Sequence, residues 1–303
     1  MKKNLLTFLV AIILATVAAS LGESVAHGKV RSSMIVTTAW VAQHLNDKSL
    51  VLLQVGDKKE YDAAHIPGAQ FIQLSDISTP RGQGLILELP PVEQLKATFE
   101  KLGINDNSRV IVYFSKDWVT PTSRVYFTLD YLGLGDRTSI LDGGLPAWVA
   151  EQRPVTAEAV APKPGKFTPR PNPKLVVDSA WVNANLNKPN VAILDARDGK
   201  FYDGTEKGMM PRAGHIPRAK NISFGSLVED SNKFKSPEAL RQLFANAGVK
   251  GDQTVATYCH IGQQASLLYF VARYLGYDAH LYDGSFQDWS NRPELPVEKS
   301  ATP

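Results

Sequence analysis

The 303-residue chain has a single cysteine, Cys259, so no internal disulfide can hold the fold together. Metal-binding patterns are missing too: no His and Cys residues cluster at the short spacings of a zinc site, and neither a metal nor another cofactor is expected. Charge of one sign is not in excess. The 33 Lys and Arg against 30 Asp and Glu give a formal charge of +3, which offers no concentrated basic face for nucleic acid. After residue 21 no apolar run is long enough to span a bilayer. With 44% hydrophobic and 21% charged residues the composition is that of an ordinary globular protein, which excludes intrinsic disorder.

The one long apolar run comes first. Lys2 and Lys3 precede Leu5 to Leu21, and small residues follow, so residues 1–26 read as a secretory signal peptide cleaved after Ala26. Cleavage after Ala19 competes, and an uncleaved membrane anchor is the alternative. Cleavage after Ala26 removes Lys2, Lys3 and Glu23 and lowers the formal charge by one. The expected product is periplasmic and not stably inserted in a membrane. Exported proteins usually carry cysteines in pairs. A lone cysteine there is either a buried packing residue or a thiol kept for chemistry, and composition leaves both open.

The length allows two domains of roughly 130 residues, and the sequence repeats itself. Thr37-Thr38-Ala39-Trp40-Val41 returns as Asp178-Ser179-Ala180-Trp181-Val182, each a helix start behind a capping residue. The strand-like Leu50–Val55 matches Val191–Ala196, and His65-Ile66-Pro67-Gly68-Ala69 matches His215-Ile216-Pro217-Arg218-Ala219. Arg109–Phe114 matches Thr254–Cys259, and Tyr131-Leu132-Gly133 matches Tyr274-Leu275-Gly276. Leu141-Asp142-Gly143-Gly144 with Trp148 matches Tyr282-Asp283-Gly284-Ser285 with Trp289. The offset drifts only between 141 and 150, so loops changed length while the order of elements was kept. Residues 34–152 and 175–297 form the two copies. Between them, 153–174 carries Pro154, Pro162, Pro164, Pro169, Pro171 and Pro173, a density that forbids helix and central strand and predicts an extended linker. Apolar strands alternate with helical segments in each half, which predicts an α/β fold: a mostly parallel sheet flanked by helices on both faces.

Cys259 sits where such folds bind ligands, at the carboxyl end of a strand. Thr254–Tyr258 is β-branched and apolar, and Leu267, Leu268, Val271, Ala272 and Leu275 fall at helical spacing before Gly276. A loop at a helix start presents backbone N–H groups and the positive end of the helix dipole, so it favours an anion. Gly262 lets that loop curl. Such a place predicts a depressed thiol pKa and a reactive Cys259.

With its HIPGA-like and DGG…W segments in both halves, and a CxxGxx loop only in the second, the chain resembles the tandem rhodanese family over about residues 34–297. The family comprises thiosulfate and 3-mercaptopyruvate sulfurtransferases. The resemblance implies two rhodanese-like domains. In such proteins a cysteine thiolate takes the sulfane sulfur of a small anionic donor such as thiosulfate and passes it to a thiophilic acceptor, cyanide or a thiol. It makes Cys259 catalytic and His260, Ile261, Gly262, Gln263 and Gln264 the loop that cradles a persulfide. Asp195-Ala196-Arg197 matches a family DxR motif, which makes Arg197 and Lys200 candidate substrate ligands. A buried ion pair between Arg197 and Asp195 is the competing reading. The first half has Phe114 in place of the cysteine and is expected to be non-catalytic, helping to wall the cleft. Ser115 beside it has no evident base. Neither substrate pattern of the family fits His260 and Gln264, so mercaptopyruvate as donor and a sulfur carrier without turnover stay open as alternatives. A cysteine phosphatase would need Arg where Ala265 stands. His260 would help hold a thiolate if protonated, or else point to solvent. His65 and His215, Trp148 and Trp289, and the Asp-Gly turns recur in both halves and read as structural.

Overall fold

The computed structural model describes residues 28–116, 119–158 and 160–300; the expected signal peptide lies outside them. The first half runs β1 (Ile35–Val36), α1 (Thr38–His44), β2 (Leu50–Val55), α2 (Lys58–Ala63), β3 (Gln70–Ile72), α3 (Val92–Lys101), β4 (Arg109–Phe114), α4 (Val119–Tyr131), β5 (Thr138–Leu141) and α5 (Gly144–Ala150). The second half repeats that order: β6 (Val176–Val177), α6 (Ser179–Asn185), β7 (Val191–Asp195), α7 (Gly199–Tyr202), β8 (Lys220–Asn221), α8 (Pro237–Asn246), β9 (Thr254–Tyr258), α9 (Gln263–Tyr274), β10 (Asp278–Tyr282) and α10 (Ser285–Ser290). Each half is a five-stranded sheet, ordered β1-β5-β4-β2-β3 and β6-β10-β9-β7-β8. Every pairing is parallel. This is the α/β architecture that the alternation of strands and helices predicts.

Parallel strands buried on both faces feed two cores at once. Along β4, Val110 and Val112 pack with Leu95, Phe99, Val125 and Leu129, whereas Ile111 and Tyr113 pack with Val41, Leu145 and Trp148. Along β9, Val255 joins Leu240, Phe244 and Leu268, whereas Ala256 and Tyr258 join Val182, Phe286 and Trp289. Burying each large side chain contributes about 1.5–3 kcal/mol before entropy is charged against it. Trp148 and Trp289 are fully buried, and their indole N–H groups donate to the carbonyls of Pro154 and Pro296 at 2.8 and 2.7 Å. They anchor the chain where it leaves each domain.

The repeated histidines are structural in the same way. His65 stacks on Tyr61 at 3.9 Å and His215 on Tyr202 at 3.9 Å, each with Nδ1 against that tyrosine's carbonyl. The hydroxyls of Tyr113 and Tyr258 accept the N–H of Ile66 and Ile216, both at 3.1 Å, so each His-Ile-Pro turn is pinned to its central strand.

The two sheets meet through α4 and α9. From Thr122 to Asp130 and from Ala265 to Ala272 every residue is buried, because each helix is covered by its own sheet on one side and by the other helix on the opposite side. Tyr126 and Phe270 meet edge to face at 4.7 Å and Phe127 and Tyr269 at 5.0 Å, while the Tyr269 hydroxyl donates to Asp130 at 2.7 Å. Each aromatic pair adds about 0.5–1.5 kcal/mol beyond area burial.

Among its described residues the proline-rich segment forms no helix or strand until the short turn at Pro173–Leu175, but it is strapped down rather than free. Gly165, Phe167 and Arg170 donate their N–H groups to the Glu100 carbonyl, the Glu100 carboxylate and the Leu132 carbonyl, and the Phe167 ring is buried in the first domain's core. Proline removes internal donors, so the remaining amides find acceptors on the domain they cross.

Candidate active site

β9 delivers Cys259 to the middle of the second sheet, beside the end of β7, where the Ala196 N–H donates to the Tyr258 carbonyl at 2.8 Å. The chain then turns through His260 and Ile261 to Gly262, at φ +85°, and α9 begins at Gln263. Glycine is required at 262 for two reasons. Its backbone is left-handed, and a Cβ there would lie 3.1 Å from the Asp283 carbonyl oxygen and 3.2 Å from Arg124 Nη1. The loop is stitched to the next helix, since Phe286 and Gln287 donate their N–H groups to the carbonyls of Cys259 and His260, both at 2.9 Å.

The thiol lies deeper than the sequence suggests. Cys259 is 1% exposed and belongs to the core between the two sheets. Burial pushes the thiol up from its ordinary pKa, and the nearby Asp195 charge adds to that. The amides of Ala265, Ile261 and Gly262 pull it down, as a loop at a helix start should, but they do not outweigh the loss of water. The expected depression is therefore overturned. The physical reason is depth: the amide cradle is present, but the packing around the loop also excludes solvent. Alkylation of Cys259 by iodoacetamide should reach half its plateau rate above pH ~8.5, the midpoint of a free thiol. A midpoint below that would show the amides winning. Folding stability follows the same proton: the unfolded chain loses it first, so this group's contribution is full below about pH 8.5 and fades as pH rises beyond it.

The other expected site residues divide. His260 is half-buried, edge-on to Phe201 at 4.6 Å, and burial followed by the Arg197 charge lowers its pKa, with Gln264 pulling weakly the other way. The imidazole is thus neutral at pH 7 and does not supply the cation considered from sequence. Ile261 and Gln264 are half-buried around the thiol, and the Gln264 carboxamide oxygen faces inward. The Gln263 side chain is engaged across the domain boundary: its carboxamide donates to Thr120 Oγ1 of α4 at 3.0 Å. Arg197 is 1% exposed and bound to Asp195 through Nε at 3.0 Å and Nη2 at 2.6 Å, with Nη2 also donating to the Gly214 carbonyl at 2.8 Å. Its guanidinium lies 4.2 Å over the Phe286 ring. The ion-pair reading of Arg197 is the one the geometry realises. Lys200 is exposed on α7, 3.3 Å from Glu206. Among the described residues no group of three or more His, Cys, Asp or Glu side chains is placed to hold a metal ion.

Two residues of the site come from elsewhere in the chain: Arg124 carries no local signal, and Asp283 was legible only as part of a repeated Asp-Gly turn. Arg124 of α4, fully buried, pairs with Asp283 at 2.6 Å across the domain boundary and donates to the Leu87 carbonyl. Asp283 in turn accepts the Leu89 N–H at 2.9 Å, and Gln287 accepts that of Ile86 at 3.0 Å. The first domain therefore walls the Cys259 loop with α4 and with the segment around residues 85–89.

The first domain's own strand end is built differently. Phe114 fills the place of Cys259, and the Ser115 hydroxyl donates to Glu60, which also pairs with Lys116 at 2.9 Å. A carboxylate does stand beside Ser115, contrary to the sequence reading. Ser115 and Lys116 hold its pKa below the usual range, so it is a poor proton acceptor. Gln54 stands where the second domain has Asp195, and Gly56 where it has Arg197. Gln54 is fully buried and neither end of its carboxamide meets a hydrogen-bonding partner. Gln54→Met should therefore stabilise the fold by about 1–3 kcal/mol, read as a higher urea midpoint. A lower midpoint would mean the amide is satisfied.

The family model described as a rhodanese-like domain matches residues 37–151 and again 178–292. A sulfur carrier protein, TtuD, from Thermus thermophilus is 33% identical over 90% of this chain and 99% of its own length. A thiosulfate sulfurtransferase from Azotobacter vinelandii is 30% identical over 88% and 97%. A probable 3-mercaptopyruvate sulfurtransferase from Pseudomonas aeruginosa is 32% identical over 88% and 98%. Among solved structures, wild-type EanB superposes with a TM-score of 0.80 over 89% of this chain and 70% of its own, at 20% identity, a likeness of fold. Two domain matches in the same order as the internal repeat, joined by relatives that align along nearly their whole length, establish that the chain belongs to the tandem rhodanese-like family.

Proposed function

We propose that the protein is a sulfurtransferase that carries sulfur as a persulfide on Cys259, with thiosulfate as donor. The observation that carries the reading is the single thiol of the chain, set among the amides of Ile261, Gly262 and Ala265 at the end of a central parallel strand. Sulfurtransferase names on relatives of about 30% identity support the reaction class. In the first step the thiol releases its proton to solvent and the thiolate attacks the sulfane sulfur of thiosulfate. The donor S–S bond breaks, sulfite leaves with the electron pair, and a Cys259 persulfide anion remains. The added sulfur lies about 2.05 Å beyond Sγ, and helix and loop amides favour its charge. In the second step cyanide or a thiolate attacks the terminal sulfur and the Cys259 thiolate departs.

The test is intact-mass spectrometry after incubation with thiosulfate or, separately, with mercaptopyruvate. A gain of one sulfur atom on Cys259 with thiosulfate is the expected result. A gain only with mercaptopyruvate would reassign the donor, and no gain from either would overturn the proposal. A second reading, a carrier that loads sulfur without rapid turnover, is favoured by the sealed thiol and by the likeness to a sulfur carrier protein. It requires loading without steady thiocyanate formation when cyanide is supplied. Export is proposed on the strength of Lys2, Lys3 and the apolar run after them. Amino-terminal sequencing of the mature protein should begin at His27.

A further inference from the structure

Ser285 opens α10 with φ +51°, a left-handed backbone that glycine adopts freely and other residues adopt at a cost. Its counterpart in the first domain is Gly144, at φ +56°. Glycine is the residue that fits there, because a Cβ on Gly144 would lie 2.7 Å from the Phe114 ring. Phe114 holds the place of Cys259. The two positions thus differ together between the domains: phenylalanine facing glycine in one, cysteine facing serine in the other.

The serine hydroxyl is fully buried and used twice. It donates to the Tyr282 carbonyl at 2.9 Å and accepts the Cys259 N–H at 3.2 Å. Because its only proton goes to Tyr282, the lone pairs are left for the Cys259 amide, so the direction of the bond is fixed. The Cys259 carbonyl meanwhile accepts from Phe286 N–H at 2.9 Å, which anchors both ends of the residue on the first turn of α10. Anchoring the backbone sets the Cα–Cβ direction, and that direction decides whether Sγ faces the amides of Ile261, Gly262 and Ala265.

We infer that Ser285 is a positioning residue for the Cys259 sulfur, and that its strained backbone is kept because the hydroxyl aims the nucleophile. The inference rests on Cys259 being the sulfur carrier. Its test therefore reads the thiol directly as well as sulfur transfer. Ser285→Gly removes the hydroxyl and relieves the strain, whereas Ser285→Ala removes the hydroxyl and keeps the strain. Both variants should show an iodoacetamide alkylation pH profile displaced from wild type and persulfide formation slowed by about tenfold to a hundredfold. The unfolding midpoint of Ser285→Gly should lie above that of Ser285→Ala. A folded Ser285→Gly variant with the wild-type alkylation profile and persulfide rate would overturn the inference, as would an Ala variant that matches wild type while the Gly variant does not. Alkylation needs no sulfur donor. If wild type alkylates at Cys259 but takes up no sulfur, the proposed function fails, and the alkylation profiles alone still decide the role of Ser285.

Discussion

Cys259→Ser should lower thiocyanate formation from thiosulfate and cyanide by at least about a thousandfold, because it removes the chain's only thiol. A serine hydroxyl is far harder to ionise than a thiol and forms no bond to sulfane sulfur from which the sulfur could be passed on. The substitution is nearly isosteric, and the amides of Ile261, Gly262 and Ala265 that face Sγ can donate to a hydroxyl, so the fold should survive it. Ser115→Ala, at the equivalent strand end of the first domain, should leave the rate unchanged, since Glu60 is held too weakly basic to activate that hydroxyl. Retention of more than about a tenth of the activity in Cys259→Ser would move the chemistry to another group.

Arg124→Ala should destabilise the protein by about 3–5 kcal/mol, the cost of leaving a buried charge without its partner. Asp283 is 6% exposed and would lose the guanidinium 2.6 Å away, keeping only the Leu89 N–H at 2.9 Å. The effect should reach the Cys259 loop, because Arg124 lies against Gly262 and beside the Thr120–Gln263 hydrogen bond. A double variant, Arg124→Met with Asp283→Leu, removes both charges and should recover much of the loss, since a buried pair contributes little over apolar residues of similar volume. Urea midpoints of the two variants measure this. A loss below about 1 kcal/mol in Arg124→Ala would mean that Asp283 is satisfied without the arginine.

These two substitutions divide the protein's two halves by role. The second domain holds the thiol, while the first has Phe114 in that position and supplies Thr120 and Arg124 beside the Cys259 loop and Ser123 against α9. Ser123 and Ser266 share a buried hydrogen bond at 2.9 Å between α4 and α9. The first domain, with Phe114 at that strand end, thus packs α4 against both its own sheet and α9.

Much of the fold was legible because it rests on periodicity. The strand at Thr254–Tyr258, the helical spacing from Leu267 to Leu275 and the recurring tryptophans are patterns of local sequence, and local burial obeys them. The site was legible as far as it is local. The order strand, Cys259, Gly262, helix puts main-chain amides on the sulfur wherever the domain is placed. The engagement of the Gln263 side chain and the neutral state of the His260 imidazole were hidden from sequence for a shared reason. Both depend on what lies across the loop, Thr120 for the first, and for the second Phe201 and the burial around it. Arg197 was ambiguous from sequence because a DxR string allows both a substrate ligand and an internal pair; the buried geometry closes the pair.

By itself, the amino-acid order determined that the chain is doubled, that each copy is a parallel sheet between helices, and that one sulfur atom stands at a helix start. Only the packing of the two copies decided how deep that sulfur lies and which way its acidity moves. The reason is that hydrogen bonds from neighbouring amides are set within a few residues along the chain, whereas the removal of water is set by everything folded over the site, here including a helix more than a hundred residues earlier.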